Sequence, residues 1–313
     1  MISCFFEGQH GKVHYQISKQ TAAAEETEIN DRGKIEDGTG DAVLFLHGFT
    51  TASLSTEAIA SITASQQPGV LCLTMDFYGG GLSASPATAY TEELFTSQVR
   101  ELLDHLGIQR VVLVGNSMGA VVGAAFAHTY PSRVSRLVCI GPGGIPIHPS
   151  DYARSPLTIA AKGIHALGAA PWLGPFIVWL SGMFIVFVLC REWVRGVIKR
   201  LLFEVEEKPL KEWEWQILNN PNFFHAVSST LREFSFYPDR SDLWEGLHCR
   251  DIPLLFVSGS EDFISPHWVA DRIIRNYAPH ARKILLDGAG HSPNYDSPDM
   301  TFENIRSFVV HGH

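Results

Sequence analysis

The stretch Val111-Val112-Leu113-Val114-Gly115-Asn116-Ser117-Met118-Gly119-Ala120 joins an apolar run to a sharp turn and then to a small-residue helix pattern that continues to His128. A short run of β-branched and apolar residues bounded by glycine reads as a buried strand. Glycines two residues to either side of Ser117 let the backbone turn tightly enough to lift the serine hydroxyl out at the edge of a sheet. Ser117 is therefore a candidate nucleophile. The competing reading of these residues is a strand-to-helix turn whose serine caps the helix.

Chemistry at Ser117 needs a base to take the hydroxyl proton and a carboxylate to orient that base. The apolar run Leu254-Leu255-Phe256-Val257 is followed by Ser258-Gly259-Ser260-Glu261-Asp262, and Lys283 to Leu286 by Asp287-Gly288-Ala289-Gly290-His291-Ser292-Pro293. Ser117, Asp262 and His291 thus stand in the order nucleophile, acid, base, each just beyond a predicted strand. Glu261 adjoins Asp262 and competes for the acid role.

In these features the chain resembles the α/β-hydrolases over essentially its whole length. Val43 to Leu46 leads into His47-Gly48-Phe49, which is similar to the family's oxyanion loop. Val70 to Met75 leads into Asp76-Phe77-Tyr78-Gly79-Gly80-Gly81-Leu82-Ser83, which resembles its Asp-x-x-Gly-x-Gly-x-Ser turn. The resemblance implies an α/β fold: a mostly parallel doubly wound sheet with a helical lid inserted between the nucleophile and acid strands. It implies Ser117, Asp262 and His291 as the triad, and the backbone N–H groups of Phe49 and Met118 as oxyanion donors. His47 and Asp76 correspond to positions the family uses structurally.

The residues outside those motifs agree with one large domain carrying an insertion. Alternation at Val13, Tyr15 and Ile17 predicts an early strand over 11–18, and Lys19 to Asp41 reads as a polar surface loop. Helical patterns at 54–66, 91–106, 118–130, 266–278 and 298–310 alternate with the strands, which means a parallel sheet covered on both faces. The alternation stops over 142–238. That span is predicted as the lid, dividing the core into 1–141 and 239–313.

Trp172 to Cys190 contains no charged residue, and by length it approaches a membrane-spanning helix. A single span would place Ser117 and its partners on opposite sides of a bilayer, and Pro175 with Ser181-Gly182 suits two helices better than one. Arg191 to Phe203 sets Val194, Val197, Ile198, Leu201 and Leu202 against Arg191, Arg195, Lys199 and Arg200, giving one apolar and one basic face. Two readings follow for 172–203: helices that pack on the core and line the pocket, or an apolar lid that also meets a lipid surface.

With a formal net charge of -9, the chain is not expected to bind nucleic acid, which needs clustered Lys and Arg. The five cysteines are scattered among mostly apolar neighbours and read as reduced thiols. Met1 to Glu7 carries no signal-peptide pattern, so a cytosolic or cytosol-facing site is expected, with peripheral membrane association under the lipid-contact reading. No metal-binding spacing or phosphate loop is present, and neither metal nor cofactor is expected.

Serine at the elbow disfavours the dehalogenase and epoxide hydrolase activities, which use aspartate there in this family. The leading expectation is hydrolysis of a carboxylic ester with a medium or long acyl chain, such as a monoacylglycerol, through an acyl-enzyme. Asn116-Ser117-Met118-Gly119 also resembles some carbon–carbon bond hydrolases of ring-cleavage products, although the tryptophan usual after their histidine is absent. A third reading, of another class, is a ligand receptor that keeps the triad for slow turnover.

Overall fold

The computed structural model describes residues 1–18, 42–67, 69–143, 176, 179–180, 207–234, 241–262 and 264–312. The predicted loop over 19–41 and most of 172–203 lie outside the described residues, as does much of the predicted lid. Phe176, Trp179 and Leu180 are helical and exposed, with the first two rings stacked. No helix among the described residues is long and apolar enough to cross a membrane.

Eight strands form one sheet in the order β1-β2-β4-β3-β5-β6-β7-β8. β1 (Ile2–Gly8) and β2 (Gly11–Ile17) make an antiparallel hairpin, and β2 joins β4 (Cys72–Met75) antiparallel. β4, β3 (Ala42–Leu46), β5 (Val111–Asn116), β6 (Val134–Ile140), β7 (Leu254–Gly259) and β8 (Arg282–Leu286) run parallel. β1 and β6 were not among the strands expected from sequence. β1 hides its pattern because it is an edge strand exposed on most positions. β6 is an apolar run interrupted by the polar Ser135 and Arg136, and only a short 3-10 turn at Pro131–Arg133 separates it from the helix after Ser117.

Side chains of the central strands alternate between two cores, as the period of two requires. Leu44, Leu46, Leu113 and Leu137 face one side with Phe95, Val99 and Leu103 of α2 (Glu92–Leu106) and Val121 and Phe126 of α3 (Met118–Thr129). Val43, Phe45, Val112, Val114 and Val138 face the other, under Ile59 and Ala60 of α1 (Leu54–Gln66) and Phe302, Ile305 and Phe308 of α9 (Pro298–His311). Three helices follow in the second half, α4 (Glu207–Asn219), α5 (Phe223–Glu233) and α6 (Ser241–His248). α7 (Trp268–Asn276) joins β7 to β8, and the short α8 (Pro293–Asp296) precedes α9.

The chain passes from β3 to β4 on one side, then returns across β3 to β5 on the other. The loops leaving β3 and β5 therefore diverge, and a crevice opens at the carboxyl ends of these two strands. The sequence places His47-Gly48-Phe49 after one and Ser117 after the other.

Candidate active site

Ser117 has φ 53° and ψ −115°, a conformation rarely adopted by an L residue. Its flanking glycines make this turn possible. A Cβ on Gly119 would lie 2.6 Å from the His47 carbonyl oxygen, and one on Gly115 would strike the backbone of Gly119 and Ala120. Ser117 N–H donates to the Ile140 carbonyl at 2.9 Å, tying the turn to the end of β6.

Asp262 and His291 come from the loops after β7 and β8 and meet with Nδ1 2.8 Å from Oδ2. The second Asp262 oxygen accepts from the backbone N–H groups of Ile264 at 2.8 Å and Ser265 at 2.7 Å. The carboxylate is thus held on both oxygens, and Nδ1 is fixed as the donor, which leaves Nε2 to accept a proton. Glu261, the competing acid, is exposed. Gly141, at φ 48°, passes beneath the pair; a Cβ there would stand 3.1 Å from both Asp262 Oδ2 and His291 Nδ1.

Asn116 links this pair to the elbow. Its Nδ2 donates to the carbonyls of Ile140 and His291, both at 3.3 Å, and its Oδ1 accepts from the Ser292 hydroxyl at 3.2 Å. Among the described residues, Ser117 Oγ and His291 Nε2 make no hydrogen bond to one another. Such contacts commonly close only when substrate is bound.

The loop from His47 to Ser53 reaches the elbow at Gly48, where a Cβ would stand 3.4 Å from Ser117 Cβ. His47 Nδ1 donates to the Gly48 carbonyl at 2.8 Å, and its Nε2 accepts from Phe77 N–H at 2.9 Å. Burial pushes the imidazole below its ordinary pKa, outweighing the Asp76 charge and the Gly48 bond. Thr51 Oγ1 also donates to Gly48 O, at 3.0 Å. Because a trans peptide directs its C=O and N–H oppositely, this anchoring aims Phe49 N–H away from the anchored side.

Asp76 anchors the glycine turn. Its carboxylate accepts from Ser53 N–H at 2.6 Å, Leu82 N–H at 2.8 Å and His14 Nδ1 at 2.7 Å. Burial works to raise its pKa, but the His14 bond, the fields of His47 and His14 and the Ser53 amide win, and the carboxyl stays below its ordinary value.

Glu212, Gln216 and Asn220, not singled out from sequence, reach the same loops from α4 and the residue after it, between β6 and β7. Glu212 Oε1 accepts from Ala52 N–H at 2.5 Å. Gln216 Nε2 donates to the Thr50 carbonyl at 2.8 Å while its Oε1 accepts from Gly81 N–H at 3.0 Å. Asn220 Nδ2 donates to the Gly79 carbonyl at 2.9 Å. Burial pushes Glu212 up to about 7, the Ala52 bond opposing and the Asp76 charge adding. The available signal was three polar residues at four-residue spacing. A small open pocket lies between α4, α5 and this loop, lined by Phe49, Phe77, Tyr78, Met118, Phe223 and Val227 among others.

A mostly parallel sheet with a strained serine after one strand and a carboxylate–histidine pair after two later ones defines the α/β-hydrolase fold. Residues 43–303 match the sequence profile of the Alpha/beta hydrolase family, and the chain belongs to that family. It is similar to the (lyso)-N-acylphosphatidylethanolamine lipase of Homo sapiens, 23% identical over 242 residues that cover 72% of this chain and 68% of that protein. It is also similar to the 2-hydroxy-6-oxononadienedioate/2-hydroxy-6-oxononatrienedioate hydrolase of Burkholderia vietnamiensis, 28% identical over 279 residues covering 88% and 89%. The solved structure of a thermophilic esterase from Thermogutta terrifontis aligns over 100% of both chains with TM-score 0.66 and 21% identity, a likeness of fold. Family and relatives together support hydrolase activity.

Proposed function

We propose that this protein is a serine hydrolase that cleaves carboxylic esters, lipid-like acyl esters such as monoacylglycerols foremost, through an acyl-enzyme on Ser117. The observation that carries the reading is the locked Asp262–His291 pair at the elbow that strains Ser117. In this mechanism Ser117 Oγ bonds to the ester carbonyl carbon as its proton passes to His291 Nε2, and Asp262 stabilises the imidazolium. The N–H groups of Met118 and Phe49 receive the oxyanion. The C–O bond to the alcohol breaks as His291 returns the proton to the leaving oxygen. Water then repeats the sequence on the acyl-enzyme and releases the carboxylic acid.

The apolar walls of the cavity beside Met118 support an acyl chain over a charged metabolite. The charge-free run 172–190 and the basic pattern of 191–203 support peripheral contact with anionic lipid. Flotation with anionic liposomes tests that contact, and carbonate-resistant retention would contradict it.

A panel of p-nitrophenyl esters, monoacylglycerols of graded length and a ring-cleavage diketone tests the reaction class. Turnover of esters with a covalent fluorophosphonate adduct on Ser117 is expected. The second reading, carbon–carbon bond hydrolysis, is supported by Asn116-Ser117-Met118-Gly119 and by the similarity to the Burkholderia hydrolase. Turnover of the diketone alone would favour it, and tight ligand binding without any turnover would favour a receptor.

A further inference from the structure

Glu212, Gln216 and Asn220 fall at four-residue spacing, on one face of α4 and its C-terminal extension. All three are buried, at 7%, 0% and 7% exposure, while Trp215 and Leu218 of the same helix are 41% and 65% exposed. The helix therefore turns its polar row inward and leaves two large apolar side chains in solvent. Burying polar side chains is unfavourable unless they are hydrogen-bonded. Glu212 and Gln216 bond to backbone of the loop after β3 and of the glycine turn after β4, while Asn220 donates to Gly79 of that turn and accepts from the Ser85 hydroxyl and the Asn222 backbone N–H.

Thr50 stands at φ 62°, a strained conformation for a β-branched residue, and persists where its surroundings over-determine it. The Gly48 carbonyl is held by His47 and Thr51, the Thr50 carbonyl by Gln216, the Ala52 amide by Glu212 and the Ser53 amide by Asp76. Two of these fastenings come from α4, far along the chain. Gln216 has the larger reach, since its one amide fixes Thr50 and the glycine turn at once.

We propose that Gln216 and Glu212 are positioning residues for the oxyanion donor, α4 setting the orientation of Phe49 N–H through the Thr50 carbonyl and the Ala52 amide. This rests on the serine hydrolase reading, with Phe49 as a donor. The inserted segment is then part of the catalytic frame as well as a cover. A loop displaced by about 1 Å misaligns a donor enough to reduce the rate roughly 10²-fold.

The test is single-turnover acylation of the full-length protein by a p-nitrophenyl ester, with KM, kcat and thermal melting measured in parallel. Gln216→Met keeps the length of the side chain and removes both bonds. It is expected to lower the acylation rate roughly 10²-fold with KM within about twofold. Gln216→Glu keeps an acceptor for Gly81 N–H and sets an oxygen against the Thr50 carbonyl, with a similar loss expected. Glu212→Leu should lose rate and Glu212→Gln should recover most of it, because the amide oxygen still accepts from Ala52. Leu218→Ala, on the exposed face of α4, should leave kcat unchanged. Folded Gln216 variants that acylate at the wild-type rate would overturn the proposal, as would losses confined to KM. If the Gln216 variants fail to fold, the Glu212 pair decides by the same criterion. Wild-type protein that shows no acylation would instead overturn the serine hydrolase reading.

Discussion

Among the described residues, two carboxylate–imidazole pairs share nearly the same geometry in quite different surroundings. Asp262 and His291 meet at 2.8 Å at the carboxyl ends of β7 and β8; Asp76 and His14 meet at 2.7 Å between the glycine turn and the antiparallel strand β2. Both carboxylates also accept two backbone N–H bonds. The second pair even continues to a hydroxyl, Ser3 Oγ lying 2.7 Å from His14 Nε2. The difference lies beyond the pair. His14 is spent on both nitrogens inside the fold, whereas Nε2 of His291 has no partner among the described residues and sits in a loop tied by Asn116 to a serine on a strained turn. Under the serine hydrolase reading, what distinguishes the Ser117 set is an elbow beside the proposed oxyanion donors.

The largest expected effect separates the two serines. Ser117→Ala should abolish fluorophosphonate labelling and reduce ester turnover on the order of 10⁶-fold, as removal of a nucleophile does in related triads. An adduct found elsewhere by peptide mass spectrometry would remove the distinction between the sites.

Next come the two carboxylates. Asp262→Asn should keep the melting temperature near wild type while kcat falls on the order of 10⁴-fold, because His291 loses its orienting acceptor. Asp76→Asn should do the opposite. Backbone N–H groups meet both Asp76 oxygens, so an amide NH2 faces a donor in either orientation, whereas both backbone amides at Asp262 meet Oδ1 alone and an Asn there keeps them. A stability loss of about 3 kcal/mol is expected for Asp76→Asn, with kcat per folded molecule falling less than about tenfold. Chemical denaturation and active-site titration read the two quantities separately. Exchange of the two phenotypes would mean that the acid is misassigned.

Much of this frame is legible in the sequence because the parts that carry it are local. Gly115 and Gly119 are demanded by a turn five residues long, and the loops after β3, β4, β7 and β8 announce themselves by glycine, aspartate and histidine directly after apolar runs. The resemblance favours Asp262 over Glu261, since Gly259-x-x-Asp262 matches the family's acid position, and the structure sets the former against His291 and leaves the latter exposed. What could not be read is long-range. Nothing local indicates that His14 in a half-exposed strand meets Asp76, or that Ser3 follows it. α4 is unreadable for a related reason: its large apolar Trp215 and Leu218 stay exposed because the backbone of two loops needs partners, and Glu212 and Gln216 satisfy it from inside.

Glu212 sharpens the comparison as a buried carboxyl without an imidazole, its Oε2 lacking a hydrogen-bond partner among the described residues. Its pKa is raised from 4.5 to about 7, so between these values the folded state holds more protons than the unfolded one and stability falls as pH rises. Glu212→Gln removes this linkage. The stability of the variant relative to wild type should rise by about 3 kcal/mol from below pH 4.5 to above pH 7, on top of any constant offset. Urea denaturation across that range checks it, and a trend of opposite sign would contradict the burial argument.

The smallest expected effect is the one that most directly tests what the two pairs teach. Ser3 is exposed on the edge strand β1, and its hydroxyl meets His14 with no helix N-terminus following it and no strained turn beneath it. A hydroxyl both donates and accepts, so it satisfies His14 in either protonation state, and water reaching this edge can do the same. Ser3→Ala should therefore change stability by less than about 1 kcal/mol and ester turnover by less than about twofold. Mass spectrometry of the fluorophosphonate-treated Ser117→Ala variant gives the more sensitive reading, since removing the dominant nucleophile exposes any reactivity left at Ser3. Labelling of Ser3 there would show that hydroxyl, imidazole and carboxylate in line suffice for nucleophilicity in this molecule. Its absence would place the decisive contribution in the elbow and the loop after β3.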